Sequence, residues 1–65
     1  MTLKWTDALA IAEELYDNEP ELDPVTLRLS ELRDRVLALP DFDDDPDKSN
    51  EARLEAILQA WIDER

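Results

Sequence analysis

The chain has 65 residues and contains neither cysteine nor histidine, which excludes disulfides, zinc fingers and thiolate-bound iron-sulfur clusters. Eighteen acidic residues against seven basic ones give a formal net charge of −11, which repels phosphate and argues against a nucleic-acid partner. Because 43% of the residues are apolar and recur in helical register, we expect a single domain over residues 1–65, stabilised by helix packing.

The first predicted helix covers residues 6–18. Thr6 is placed to cap it, and Asp7 falls in its first turn, where negative charge suits the helix dipole. Its apolar face consists of Ala8, Ile11, Ala12, Leu15 and Tyr16. Two prolines in the following stretch, NEPELDP, predict a loop.

A short strand is predicted over residues 25–29, because VTLRL alternates apolar and polar side chains. Its expected partner is the segment 3–5. Ser30 is then placed to cap a second helix, which Pro40 ends. The apolar face of this helix consists of Leu32, Val36, Leu37 and Leu39.

The third predicted helix starts after a cap at Ser49 or Asn50 and runs nearly to the C-terminus. Its apolar stripe, the clearest periodic signal in the chain, is Leu54, Ile57, Leu58, Trp61 and Ile62. The expected architecture is mainly α, with three helices and at most a short two-stranded ribbon. No segment resembles a signal peptide or a membrane span, so we expect a cytoplasmic protein. We also expect it to be a monomer.

Five aspartates surround Phe42 in a loop directly before the third helix. They are Asp41, Asp43, Asp44, Asp45 and Asp47. Carboxylates are hard oxygen ligands, so this loop is a candidate site for weakly held Mg²⁺, Ca²⁺, Mn²⁺ or Fe²⁺. An EF-hand is not expected, because Pro46 and Ala52 stand where its turn glycine and closing glutamate belong.

Each of these features also has a purely structural interpretation. The aspartates fit a solvated loop whose negative charge favours the N-terminus of the next helix. Phe42 either anchors the loop to the core or contacts a partner, and Trp61 lies on an apolar stripe that predicts core packing. Catalysis is not expected, because no histidine is available to activate Ser30 or Ser49.

An ordered set of short stretches resembles the IscX family of small acidic proteins from bacterial iron-sulfur cluster assembly. The stretches are LKWTD, LDP, DFDDDP, SNE, LEAIL and Trp61 followed by Asp63 and Glu64, which together span essentially the whole chain. The resemblance implies a modified winged-helix fold, Fe²⁺ binding through exposed acids and docking onto the cysteine desulfurase of that pathway. By position, the acidic motif corresponds to Asp41, Asp43, Asp44 and Asp45, and Asp63 and Glu64 match the acidic end of the third helix.

The resemblance leads us to expect a non-enzymatic adaptor or regulator that binds the cysteine desulfurase and weakly binds Fe²⁺. The expected partner-binding residues are Asp41, Phe42, Asp43, Asp44, Asp45, Asp63 and Glu64. The chain departs from the family in its second helix, where Arg35 replaces a tryptophan and Leu29 an aromatic residue. Two alternatives remain open at this point: an iron donor for cluster assembly, and an acidic domain with neither activity.

Overall fold

Three helices make up most of the protein. The computed structural model describes residues 2–64, so Met1 and Arg65, the two ends of the predicted domain, lie outside the described residues. The helices are α1 at Ala8–Asn18, α2 at Leu29–Leu37 and α3 at Glu51–Glu64. The predicted three-helix, mainly α architecture is confirmed.

The hydrophobic core surrounds α3, which packs against both α1 and α2. The buried apolar residues are Leu3, Trp5, Ile11, Ala12, Leu15, Leu32, Val36, Leu39, Leu54, Ile57 and Trp61. Burying one such large side chain contributes roughly 1.5–3 kcal/mol, so these apolar faces stabilise the three helices together. Within residues 2–64, no helix has both the length and the apolar character that a membrane span requires.

The predicted ribbon is reduced to one backbone bridge. Leu3 pairs in parallel with Phe42. The Leu3 N–H donates to the carbonyl of Asp41 at 2.7 Å, and the Leu3 carbonyl accepts from the N–H of Asp43 at 3.0 Å. The N-terminal segment therefore pairs with the aspartate-rich loop. The predicted pairing with residues 25–29 is wrong.

The strand predicted over residues 25–29 is wrong. Asp23 caps a 3₁₀ turn at Pro24–Thr26, and its carboxylate accepts from the N–H of Val25 at 3.0 Å. The fixed φ of proline suits the first position of such a turn. Val25 is 67% exposed, so its place in the alternating pattern does not correspond to a buried strand face.

The start of α1 also differs from the prediction. The helix begins at Ala8, with Asp7 in the N-cap position, and Thr6 is not its cap. The chain turns tightly here, because the N–H of Asp7 donates to the carbonyl of Lys4 at 2.9 Å. The Asp7 carboxylate accepts from the N–H of Lys4 at 3.0 Å, so it closes the turn and does not cap the helix.

The predicted cap of α3 is confirmed, whereas that of α2 is wrong. Because α2 begins at Leu29, Ser30 lies inside the helix and Arg28 takes the N-cap position. The N–H of Arg28 donates to the carboxylate of Glu31 at 3.4 Å. For α3, the cap at Asn50 is confirmed, because its side-chain carbonyl accepts from the N–H of Arg53 at 2.8 Å.

Candidate functional site

The acidic loop, residues 41–47, is held against the N-terminal segment, residues 3–5. The Lys4 ammonium donates to the backbone carbonyl of Asp43. The indole N–H of Trp5 donates to the backbone carbonyl of Asp45 at 2.7 Å. With the Leu3 bridge, these contacts fix the loop backbone at three successive places, so the loop has a defined shape.

Asp44 uses both of its carboxylate oxygens to shape the loop. One accepts from the backbone N–H of Trp5 at 3.1 Å, and the other accepts from the N–H of Asp45 at 2.7 Å. These two bonds, the Trp5 bond first, hold the pKa of Asp44 below its ordinary value of 3.8, and Lys48 and Lys4 lower the pKa further against partial burial. Among the five aspartates predicted as metal ligands, Asp44 therefore has a structural role in the loop.

Asp45 caps a turn in the same way as Asp23. Its carboxylate accepts from the N–H of Asp47 at 2.9 Å, at the start of the 3₁₀ turn Pro46–Lys48. Aspartate before proline is thus the turn-forming device of a chain that contains no glycine. The repeated Asp-Pro pair was the sequence signal for this role of Asp45.

Four aspartates of the acidic loop are exposed, and three of them, Asp41, Asp43 and Asp47, do not use their carboxylates to shape the loop. Among residues 2–64, none of these three side chains is bonded to another group. The structure thus divides five aspartates that look equivalent in the sequence into two whose carboxylates shape the loop and three whose carboxylates make no hydrogen bond with the described residues. We call these three the free carboxylates.

Basic residues near the loop bind its backbone and not its carboxylates. Arg33 donates to the carbonyl of Pro46 at 3.3 Å and to the hydroxyl of Ser49 at 3.2 Å. Arg53 donates to the carbonyl of Lys48 at 3.2 Å. Because these guanidinium groups donate to carbonyl oxygens, neither Arg33 nor Arg53 forms an ion pair with a carboxylate of the loop among the described residues.

Phe42 packs against the core rather than standing free in the loop. Its ring meets the ring of Trp5 edge to face, with centroids 4.7 Å apart and an interplanar angle of 68°. Such aromatic pairs contribute about 0.5–1.5 kcal/mol beyond the area that they bury. Phe42 is half-buried, so it anchors the loop; its contact with a partner stays a prediction.

The structure does not bring the predicted acids at the end of α3 to the loop. Asp63 and Glu64 lie in the last turn, whereas the loop leads into the first turn of the same helix. A helix of 14 residues separates its two ends by about 20 Å. Asp63 also accepts from the side-chain amide of Gln59 at 3.1 Å.

A metal site is not preformed by these carboxylates. Their hard oxygen atoms suit Fe²⁺, but no three acidic side chains within residues 2–64 converge as a group able to hold a metal ion. The predicted ligands Asp41, Asp43, Asp44, Asp45 and Asp47 therefore stay a prediction. The carboxylates of Asp44 and Asp45 already accept hydrogen bonds from backbone N–H groups.

Arg35 and Leu29, the two positions where the resemblance indicated a departure, both make contacts within the protein. The guanidinium of Arg35 pairs with the carboxylate of Glu19, just beyond α1. This pair borders a cleft of about 150 Å³ whose floor includes the core residues Leu15 and Leu39. Leu29 is half-buried against the same core.

The lowered pKa of Asp44 predicts a pH-dependent contribution to stability. A carboxyl group whose pKa is lower in the folded protein stabilises the fold above its unfolded pKa, and this stabilisation disappears as the pH falls through the folded value. We therefore expect Asp44→Asn to reduce the unfolding free energy more at neutral pH than at an acidic pH below the ordinary value of 3.8. Urea denaturation at the two pH values measures the difference.

Asp43→Asn is the matched control for this experiment. It removes the same charge from the neighbouring position, where the carboxylate is exposed and makes no hydrogen bond with the described residues. An equal stability change for both variants at neutral pH would contradict the structural role of Asp44.

The fold and the loop define a small acidic helical protein that presents unpaired carboxylates from a fixed backbone. Residues 3–65 match the sequence profile of a family described as "Iron-sulphur cluster assembly". The chain is also 52% identical over 65 residues to the protein named "Uncharacterized protein PA3808" from Pseudomonas aeruginosa. The alignment covers 100% of this chain and 98% of the relative. The chain belongs to the iron-sulphur cluster assembly family, and the predicted IscX resemblance is confirmed.

Proposed function

We propose that this protein is a non-enzymatic adaptor or regulator of iron-sulfur cluster assembly, which docks onto the cysteine desulfurase through its acidic loop. Family membership supports a role in the assembly machinery. The choice of partner follows from the resemblance, and the docking surface follows from the charge of the loop.

The observation that carries the proposal is the arrangement of charge around the acidic loop. The free carboxylates are exposed, while Lys4, Arg33 and Arg53 donate to backbone carbonyls of the segment 43–48. Unpaired charge on a fixed backbone suits a basic protein surface, because complementary potentials accelerate encounter and select the orientation of docking. The docking partner is accordingly a protein with a basic surface, and not a nucleic acid.

Weak binding of Fe²⁺ is the second part of the proposal. The free carboxylates offer hard oxygen ligands, and their charge concentrates cations near the loop. Since no three acids within residues 2–64 converge, binding requires either rearrangement of the loop or ligands from a partner. Both requirements make the affinity for Fe²⁺ modest. A modest affinity suits an ion that modulates docking better than an ion that the protein stores.

The proposed role needs no catalytic group. The chain has no histidine or cysteine, and the hydroxyl of Ser49 donates to the carbonyl of Pro46 at 3.0 Å, as a turn residue does. The cleft beside Arg35 is about 150 Å³, which is small for a substrate site. We propose that the protein acts as a cytoplasmic monomer.

Calorimetric titration of the protein into its own organism's cysteine desulfurase tests the proposal. We expect binding in the presence of a chelator, with an affinity that falls as salt rises, because exposed charges are screened. The measurement is repeated at low and moderate salt, with and without Fe²⁺.

The outcomes separate the alternatives. Binding that appears only with Fe²⁺ would favour an iron donor over an adaptor. Absence of binding under every condition would leave an acidic domain without this activity. Salt-independent binding would place the contact on an uncharged surface and contradict the role of the acidic loop.

A further inference from the structure

Trp5 is a buried residue that holds the acidic loop against the core. This residue is 1% exposed, and its ring packs edge to face with Phe42. Its indole N–H donates to the carbonyl of Asp45 at 2.7 Å, and its backbone N–H donates to the carboxylate of Asp44 at 3.1 Å. Trp5 therefore contacts three residues of the loop, Phe42, Asp44 and Asp45, from one place in the core.

Lys4 adds a contact from the solvent side. Its ammonium donates to the backbone carbonyl of Asp43, although several carboxylates lie on the same loop. Together, Lys4 and Trp5 bind the carbonyls of Asp43, which bears one of the free carboxylates, and of Asp45, which lies between two of them. The positions of these carboxylates thus depend on the N-terminal segment.

We infer that Trp5, assisted by Lys4, is the positioning residue of the docking surface: it fixes the backbone of the acidic loop so that the free carboxylates keep one arrangement. This inference rests on the proposed function. A surface that is already ordered loses less conformational freedom on binding, so fixing the loop increases affinity without adding a contact to the partner.

The substitution Trp5→Phe tests the inference without changing the charge. Phenylalanine keeps an aromatic ring in the core but lacks the N–H that binds Asp45. We expect affinity for the cysteine desulfurase to fall roughly fivefold, the effect typical of one lost hydrogen bond. The amide hydrogens of Asp43, Asp44, Asp45 and Asp47 should exchange faster in the free variant.

Trp61→Phe is the matched control. Trp61 is equally buried, but its indole N–H is bonded to no group within residues 2–64. Its replacement removes the same atoms from the core and leaves the loop contacts in place. We expect its affinity to stay within about twofold of the unsubstituted protein, and its loop exchange to be unchanged. Equal losses of affinity in both variants would overturn the positioning role.

A second pair of variants tests the inference without altering the core. Lys4→Met removes the donor to Asp43 and makes the protein more negative by one unit, as does Arg28→Met at the start of α2. Charge alone predicts tighter binding to a basic surface for both variants. If Lys4 helps to position the loop, Lys4→Met binds the desulfurase more weakly than Arg28→Met. Equal affinities of the two variants would overturn the positioning role.

Failure of the inference is distinguishable from failure of the proposed function. If the unsubstituted protein does not bind the desulfurase, the proposed function is rejected, and hydrogen exchange alone then decides the positioning role. If the unsubstituted protein binds and Trp5→Phe changes neither loop exchange nor affinity, the proposed function stands and the inference is rejected.

Discussion

Replacing Asp41, Asp43 and Asp47 together with asparagine is expected to weaken binding to the cysteine desulfurase at least about threefold at low salt. Each is exposed, and an exposed charge pair contributes about 0.2–1 kcal/mol, so three pairs contribute a few kcal/mol at most. The helical circular dichroism spectrum should stay unchanged, because these side chains make no hydrogen bonds with the described residues. Calorimetry over a range of salt concentrations measures the effect.

The control is a second triple variant with the same change in charge. Glu13→Gln and Asp17→Asn on α1, combined with Glu55→Gln on α3, alter three exposed acids outside the acidic loop. This control lowers the long-range attraction equally but leaves the free carboxylates in place. Equal loss of affinity in both variants would mean that only net charge matters, and the assignment of the loop would be wrong.

Trp61→Ala is expected to unfold the protein at room temperature. Trp61 is fully buried at the centre of the core, and truncating such a residue to alanine costs about 3–5 kcal/mol. A core of this size rarely provides more than about 3–5 kcal/mol in total, so the loss is comparable with the whole stability. Circular dichroism at 25 °C measures the expected loss of helical signal.

Leu9→Ala is the control for this substitution. Leu9 is an apolar residue on α1 that is 60% exposed, and surface changes of this kind usually alter stability by less than about 0.5 kcal/mol. A cooperative, native-like melting transition for Trp61→Ala would contradict the central place of Trp61 in the core.

The helices were predictable because their signal is local. The apolar stripe of α3 repeats every three or four residues, and Leu54, Ile57 and Trp61 are buried as that spacing requires. The cap at Asn50 is also a local contact, made three residues along the chain. The predicted strand over residues 25–29 failed because Asp23 and Pro24 impose a turn that competes with the alternating pattern.

The roles within the acidic loop were not predictable from the sequence. Asp43 and Asp44 are adjacent and chemically identical, yet one is exposed and the other accepts the backbone N–H of Trp5. That contact joins residues 39 positions apart, so no spacing rule indicates it. The role of Asp45 was within reach, because an aspartate before a proline is a local turn signal.

The absence of glycine has a consequence for how such a chain diverges during evolution. Within residues 2–64 no residue adopts positive φ, because Asp-Pro turns reverse the chain with ordinary backbone angles. A backbone of this kind contains no position that only glycine tolerates. No surface position is therefore reserved for glycine, so surface charge can follow a changing partner one residue at a time while the helices stay as they are.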